Sequence, residues 1–96
     1  MQKINFKSKK DGKEFEVIVP ETSEDIENED FIKINGKMLF AEEIENIDVP
    51  EKVKSEGELV YGVDELYDLY YYDGEFYDFY WDTPSGCIFS KLKEEP

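Results

Sequence analysis

Asp64, Glu65, Asp68, Glu75, Asp78 and Asp82 are interleaved with Tyr67, Tyr70, Tyr71, Tyr72, Tyr77 and Tyr80, so carboxylates and phenols share one short stretch. Grouped carboxylates can ligate calcium, flank a glycosidic bond as acid and base, or present negative charge to a partner. Calcium requires ligands at alternate positions of a loop of about twelve residues with a central glycine and a closing glutamate. No window here has that order, and no metal site is expected. Glycoside hydrolysis requires a cleft, and with 25 acids in 96 residues a pair of carboxylates carries no information. Sugar binding without catalysis would use the same tyrosines as stacking surfaces. The third use, charge presented to a partner, fits best.

Further chemistry is limited by what the chain lacks. It has no histidine, the commonest general base and metal ligand, and no arginine, the bidentate clamp for phosphate and carboxylate. The single cysteine, Cys87, cannot form an internal disulfide and has no histidine to lower its pKa. It reads as a small residue at the start of a strand, not as a nucleophile. The glycines stand in turns, and none forms a phosphate-cradling loop. No enzyme activity and no cofactor are expected.

The formal charge is −14, well beyond the magnitude of about 2–8 usual for a small soluble domain. It is also segregated. Met1–Lys13 carries five lysines against Asp11, a net of +4, so the other 83 residues carry −18. Between Ser55 and Ser90 there is no lysine and there are nine acids. Nucleic-acid interfaces combine aromatics with basic residues, and here the sign is reversed, which disfavours direct nucleic-acid binding. An acidic surface instead attracts proteins that themselves bind nucleic acid.

These residues must be positioned by a chain with room for one modest core, burying about 60–65% of its unfolded surface. A single domain spanning 1–96 is expected. Asp73-Gly74 is a two-residue turn that accepts positive φ, so Leu66–Tyr72 and Glu75–Trp81 read as paired strands. Val63, Leu66, Tyr67 and Tyr70 also fit helical spacing, but three consecutive tyrosines and the turn that follows favour the strand. The register sorts Leu66, Asp68, Tyr70, Tyr77, Phe79 and Trp81 onto one face. Tyr67, Leu69, Tyr71, Phe76, Asp78, Tyr80 and Asp82 fall on the other. One face must be core, which leaves half the aromatics as a surplus for an interface. A turn over Asp82–Gly86 then leads into a third strand, Cys87–Leu92.

Upstream, a turn at Asp11-Gly12 pairs Ile4 with Val19, Phe6 with Val17 and Ser8 with Phe15. On the opposite face it pairs Lys7 with Glu16 and Lys9 with Glu14. The lysines of this hairpin thus read as sheet surface. Asn35-Gly36 sets Ile32 opposite Leu39 and Phe31 opposite Phe40, in a hairpin expected to lie centrally or to be covered on both sides. Pro20–Asp30, with six acids, reads as an exposed loop or a short helix. Ala41–Ile47 extends the strand or turns once as helix, Val49-Pro50 breaks it, and Pro50–Ser55 forms a short helical turn ending before Gly57. Glu58–Val63 is a strand.

The expected fold is mainly β, a small antiparallel sheet or meander of about six or seven strands built from three hairpins, with one or two short helices. The expected function is that of a non-enzymatic acidic protein occluding a basic surface of a nuclease or other nucleic-acid-handling protein. Phage anti-restriction and anti-CRISPR proteins and the acidic immunity proteins of nuclease toxins use this strategy. The partner-facing residues would be Asp64, Glu65, Asp68, Tyr71, Glu75, Asp78, Tyr80 and Asp82. A structural or adaptor module in a protein assembly, of which a homo-oligomer joined through the surplus aromatics is one form, is the alternative. With no apolar run near Met1 resembling a signal peptide or a membrane span, a cytoplasmic location and no membrane partner are expected.

Overall fold

A computed structural model of the chain describes residues 2–19, 32–46, 48–63, 66–83 and 86–94, with the backbone alone at 82 and 83. Among these residues there are eight strands, each in antiparallel pairing wherever its register is resolved, and one helix. The mainly β expectation is met, with one strand more than the upper count. The chain divides into two compact units, residues 1–40 with 94–96 and residues 41–93. The expected loop or helix at Pro20–Asp30, and Phe31, lie outside the described residues.

In the first unit, alternation of apolar and polar residues makes β1 (Gln2–Lys7) and β2 (Glu14–Val19) a hairpin. Its register is Ile4 with Val17, Phe6 with Phe15 and Lys7 with Glu14. This is two residues away from the expected pairing. The cause is the turn. Gly12 has φ +73°, but Asp11 does not join it in the left-handed region. Instead the buried Ser8 accepts hydrogen bonds at Oγ from the Lys10 and Asp11 N–H groups, at 3.3 and 3.5 Å, and Asp11 Oδ1 accepts one from Lys13 N at 2.9 Å. Side chains that bond the local backbone stabilise a longer loop. A shift of two keeps every residue on its face, since side chains alternate with period two. The ion pairing does change: Glu16 meets Lys3 at 3.4 Å, not Lys7.

β3 (Lys33–Ile34) and β4 (Lys37–Glu43) follow, with β3 between β2 and β4. Asn35 at φ +51° and Gly36 at φ +79° form the expected two-residue turn. Leu39 N donates to Ile32 O at 3.0 Å, as the predicted opposition requires. Asn35 also ties the turn to β2, its Oδ1 accepting from Glu16 N at 2.9 Å. Val17, Val19, Ile32, Ile34 and Leu39 are buried. Met38, on the opposite face, is 42% exposed, so the hairpin is central but not covered on both sides there.

In the second unit, the end of β4 is tied to β8 (Gly86–Glu94) by a hydrogen bond from Ile44 N to Phe89 O at 2.8 Å. β8 pairs with β7 (Glu75–Thr83), β7 with β6 (Tyr67–Tyr72), and β6 with β5 (Glu58–Val63). Asp73 at φ +49° and Gly74 at φ +80° set the β6–β7 register, Tyr70 with Tyr77 and Leu69 with Asp78. This is the predicted one, and the strand reading of Tyr67–Tyr72 holds. Thr83 pairs with Gly86, so β7 and β8 run further into the expected five-residue turn than predicted.

The helix, α1 (Asp48–Glu56), is longer than the turn expected at Pro50–Ser55. Pro50 does not break it, because the N–H groups of a first helical turn have no intrahelical acceptor to lose. The Asn46 side chain accepts from Asp48 N at 2.7 Å, Asp48 and Glu51 lie at the positive end of the helix dipole, and Lys54 lies at the negative end. Val49 and Val53, four residues apart, face the sheet. Val53, Phe79 and Phe89 form a buried cluster with Ile44, Val49, Tyr70, Tyr72, Tyr77 and Trp81 packed around it.

Candidate functional site

Both faces of the β6–β7 hairpin are occupied. Tyr67, Leu69, Tyr71, Phe76 and Asp78 are buried on one face, together with Ser90 and Leu92 of β8. The other face carries the supposed surplus of aromatics, and α1 covers it. There Phe79 is the hub, with ring centroids at 5.5 Å from Tyr70, 5.6 Å from Trp81 and 4.7 Å from Phe89. Tyr77 stacks on Phe89 at 5.5 Å. Such pairs contribute about 0.5–1.5 kcal/mol each beyond the area they bury. Of the aromatics that suggested an interface, Tyr67, Tyr71, Phe76 and Phe79 are core, and Tyr70, Tyr72, Tyr77, Tyr80 and Trp81 are half-buried.

The five expected partner-facing residues whose side chains are described, Asp68, Tyr71, Glu75, Asp78 and Tyr80, accordingly do not form one surface. Tyr71 is 3% and Asp78 8% exposed, so neither offers its side chain to a partner. Asp78 Oδ2 accepts a hydrogen bond from the Tyr67 hydroxyl at 3.0 Å. Burial pushes the Asp78 carboxyl up to about 6, partly offset by that hydrogen bond, and burial likewise raises Tyr67 well above the usual phenol range. Asp68 is half-buried on the opposite face, its carboxyl raised by desolvation and held back by the Lys54 ammonium. Tyr80 is half-buried beside Asp78, and Glu75 is exposed and pairs with Lys91 at 3.7 Å. Asp64, Glu65 and the side chain of Asp82 lie outside the described residues.

The second unit holds fourteen carboxylates against four lysines, a net of −10, and five of them lie outside the stretch from Ser55 to Ser90. Glu42, Glu43, Glu45, Asp48 and Glu51 are exposed along the end of β4 and the start of α1. Glu42 pairs with Lys93. Among the described residues, no ion pair joins Glu43, Glu45, Asp48 or Glu51 to a lysine. Sequence reasoning passed over this segment because it lacks strand alternation and contains a proline.

A groove of about 490 Å³ opens beside these acids. Glu43, Glu45, Lys54, Trp81 and Cys87 are among the residues that line it, with the buried Phe79 and Phe89. The Lys54 ammonium lies 4.8 Å from the Phe79 ring centroid and 5.4 Å from that of Trp81, within cation–π range. Cys87 is exposed, yet desolvation raises its thiol, against the opposing pull of Lys54 and of a backbone hydrogen bond from Tyr80. A raised thiol is a poor nucleophile. The one sequence signal for this groove was the register, which places Trp81 and Phe79 on the same face.

Among the described residues, no cluster of three or more acidic or cysteine side chains is disposed to hold a metal ion, and no helix is long and apolar enough to cross a membrane. No protein-family model, no curated protein and no solved structure matches this chain.

Proposed function

We propose that this chain is a non-enzymatic, cytoplasmic binding protein that covers a basic surface of a nuclease or another nucleic-acid-handling protein. The observation that carries this reading is the run of exposed carboxylates Glu43, Glu45, Asp48 and Glu51, which form no ion pair with a lysine among the described residues and stand on a unit of net charge −10. Carboxylates in that state repel one another, and a cationic partner relieves the repulsion on binding. The reading differs from the sequence expectation in its contact residues. The charge is offered by the end of β4 and by α1, and the β6–β7 hairpin supplies the scaffold beneath them.

An adaptor joined to itself through spare aromatics is the weaker reading, because Phe79 is buried with Val53 and Phe89, and Tyr77 and Trp81 pack against that cluster. The two differ in their response to salt. Association with a basic protein weakens as salt screens the attraction, whereas self-association of an acidic chain strengthens as salt screens the repulsion. Immobilised protein should retain nucleic-acid-binding proteins from a bacterial lysate and release them at raised ionic strength. Sedimentation of the chain alone should show no growth in mass with salt. Salt-induced dimers with no salt-released partner would favour the adaptor.

A further inference from the structure

We propose that the groove beside α1 receives the side chain of a single arginine or lysine of the partner, its aliphatic stem against the half-buried Trp81 and its cationic head toward Glu43 and Glu45. This rests on the acidic-binder reading above and names where that reading has its anchor.

The argument is one of complementarity. The groove is about 490 Å³, within the range of about 300–1,000 Å³ typical of ligand pockets and ample for one long side chain. Its lining brings the half-buried Trp81 together with the exposed Glu43 and Glu45, which matches a residue that is apolar along its stem and positive at its tip. The same rings already hold a cation, since Lys54 lies over Phe79 and Trp81. Arginine stacks on such rings more readily than lysine and is the commoner anchor in interfaces. An anionic occupant fits poorly. Lys54 is engaged by the two rings and lies near the Asp68 carboxylate, and the unit around the groove carries −10.

Trp81 is the only tryptophan, so its indole N–H reports on the groove without ambiguity. The test is an NMR titration of the nitrogen-15-labelled chain with acetyl-Gly-Arg-Gly-amide, alongside matched peptides carrying norleucine or glutamate, at constant ionic strength. The arginine peptide should shift the Trp81 indole saturably, and the other two should not. Glu43→Gln with Glu45→Gln should weaken this binding about three- to tenfold, whereas Glu14→Gln with Glu16→Gln, which removes the same charge from residues that do not line the groove, should weaken it by less than about twofold. Lys54→Met removes a like charge and frees the rings, so it should tighten binding by about two- to threefold. Lys54→Gln replaces it should the methionine perturb folding.

Equal weakening by the two Gln pairs would overturn the groove while leaving the acidic-binder reading intact. A shift with the glutamate peptide that Lys54→Met abolishes would overturn it in favour of an anionic occupant. No shift with any peptide would likewise overturn it, whatever the lysate capture returns.

Discussion

The Tyr67 hydroxyl donates to Asp78 Oδ2 at 3.0 Å inside the second unit, with Tyr67 5% and Asp78 8% exposed. A carboxylate counted from the sequence as surface charge is thus, with Ser8 and Ser90, a buried polar residue among the described residues. Burial raises it to about 6, which lies above its value in the unfolded chain. The folded state therefore binds an additional proton between the two values, and stability falls as pH rises through about 4 to 6 and stays lower above. At about 1.4 kcal/mol per unit, the ionised form costs about 3 kcal/mol at neutral pH. Asp68 is shifted in the same direction, so the contribution of Asp78 is read as a difference between variants.

Asp78→Asn keeps the shape and the acceptor for Tyr67 while removing the charge. It should raise stability at pH 7.5 by about 1–3 kcal/mol and leave stability at pH 4 nearly unchanged. Urea denaturation of both proteins at the two pH values checks this. A pH-independent difference would contradict the assignment.

Tyr67→Phe removes the donor and leaves the carboxylate buried without it. The expected cost is about 1–3 kcal/mol at pH 7.5, shrinking in the Asp78→Asn background because a neutral amide is less costly to leave unpaired. A double-mutant cycle on the same denaturation curves measures the coupling. Additive losses would mean that the two groups do not depend on each other.

Gly57 ends α1 where the chain passes close to β6. A Cβ there would collide with the Val53 carbonyl oxygen and come within 3.2 Å of Tyr71 O and 3.3 Å of Tyr72 Cβ. These are mostly backbone atoms, which cannot swing aside. Gly57→Ala should cost about 2 kcal/mol or more, despite the better intrinsic helix propensity of alanine. Thermal melting compares it with Ser55→Ala, an exposed position at which the loss should stay below about 1 kcal/mol.

The hairpins were legible because Asn35-Gly36 and Asp73-Gly74 announce their turns and the side-chain period of two does the rest. From Asp73-Gly74 alone, every facing pair from Tyr67 to Tyr80 follows. The first hairpin slipped by two residues because Ser8 and Asp11 bond the local backbone, and such bonds leave no mark on hydrophobic alternation. The buried face of the β6–β7 hairpin was not legible, since both faces carry aromatics of similar bulk. What covers the second face is α1, whose only apolar anchors are Val49 and Val53 amid acids and Pro50. With that helix read only as a short turn over Pro50–Ser55, Phe79 and Trp81 looked like surplus, and the groove they share with Glu43 and Glu45 had no visible lining.

The central claim is that exposed carboxylates draw this chain onto a basic partner, and association kinetics test it most directly. Glu43→Gln, Glu45→Gln and Glu51→Gln combined remove three exposed charges without touching Asp78. Surface-plasmon measurements against the captured partner at two ionic strengths should show association slowed by about tenfold at low salt and a flatter salt dependence, with the fold unchanged by circular dichroism. An unchanged association rate and salt slope in the triple variant would contradict the claim, leaving these acids as a solvated surface with no role in recognition.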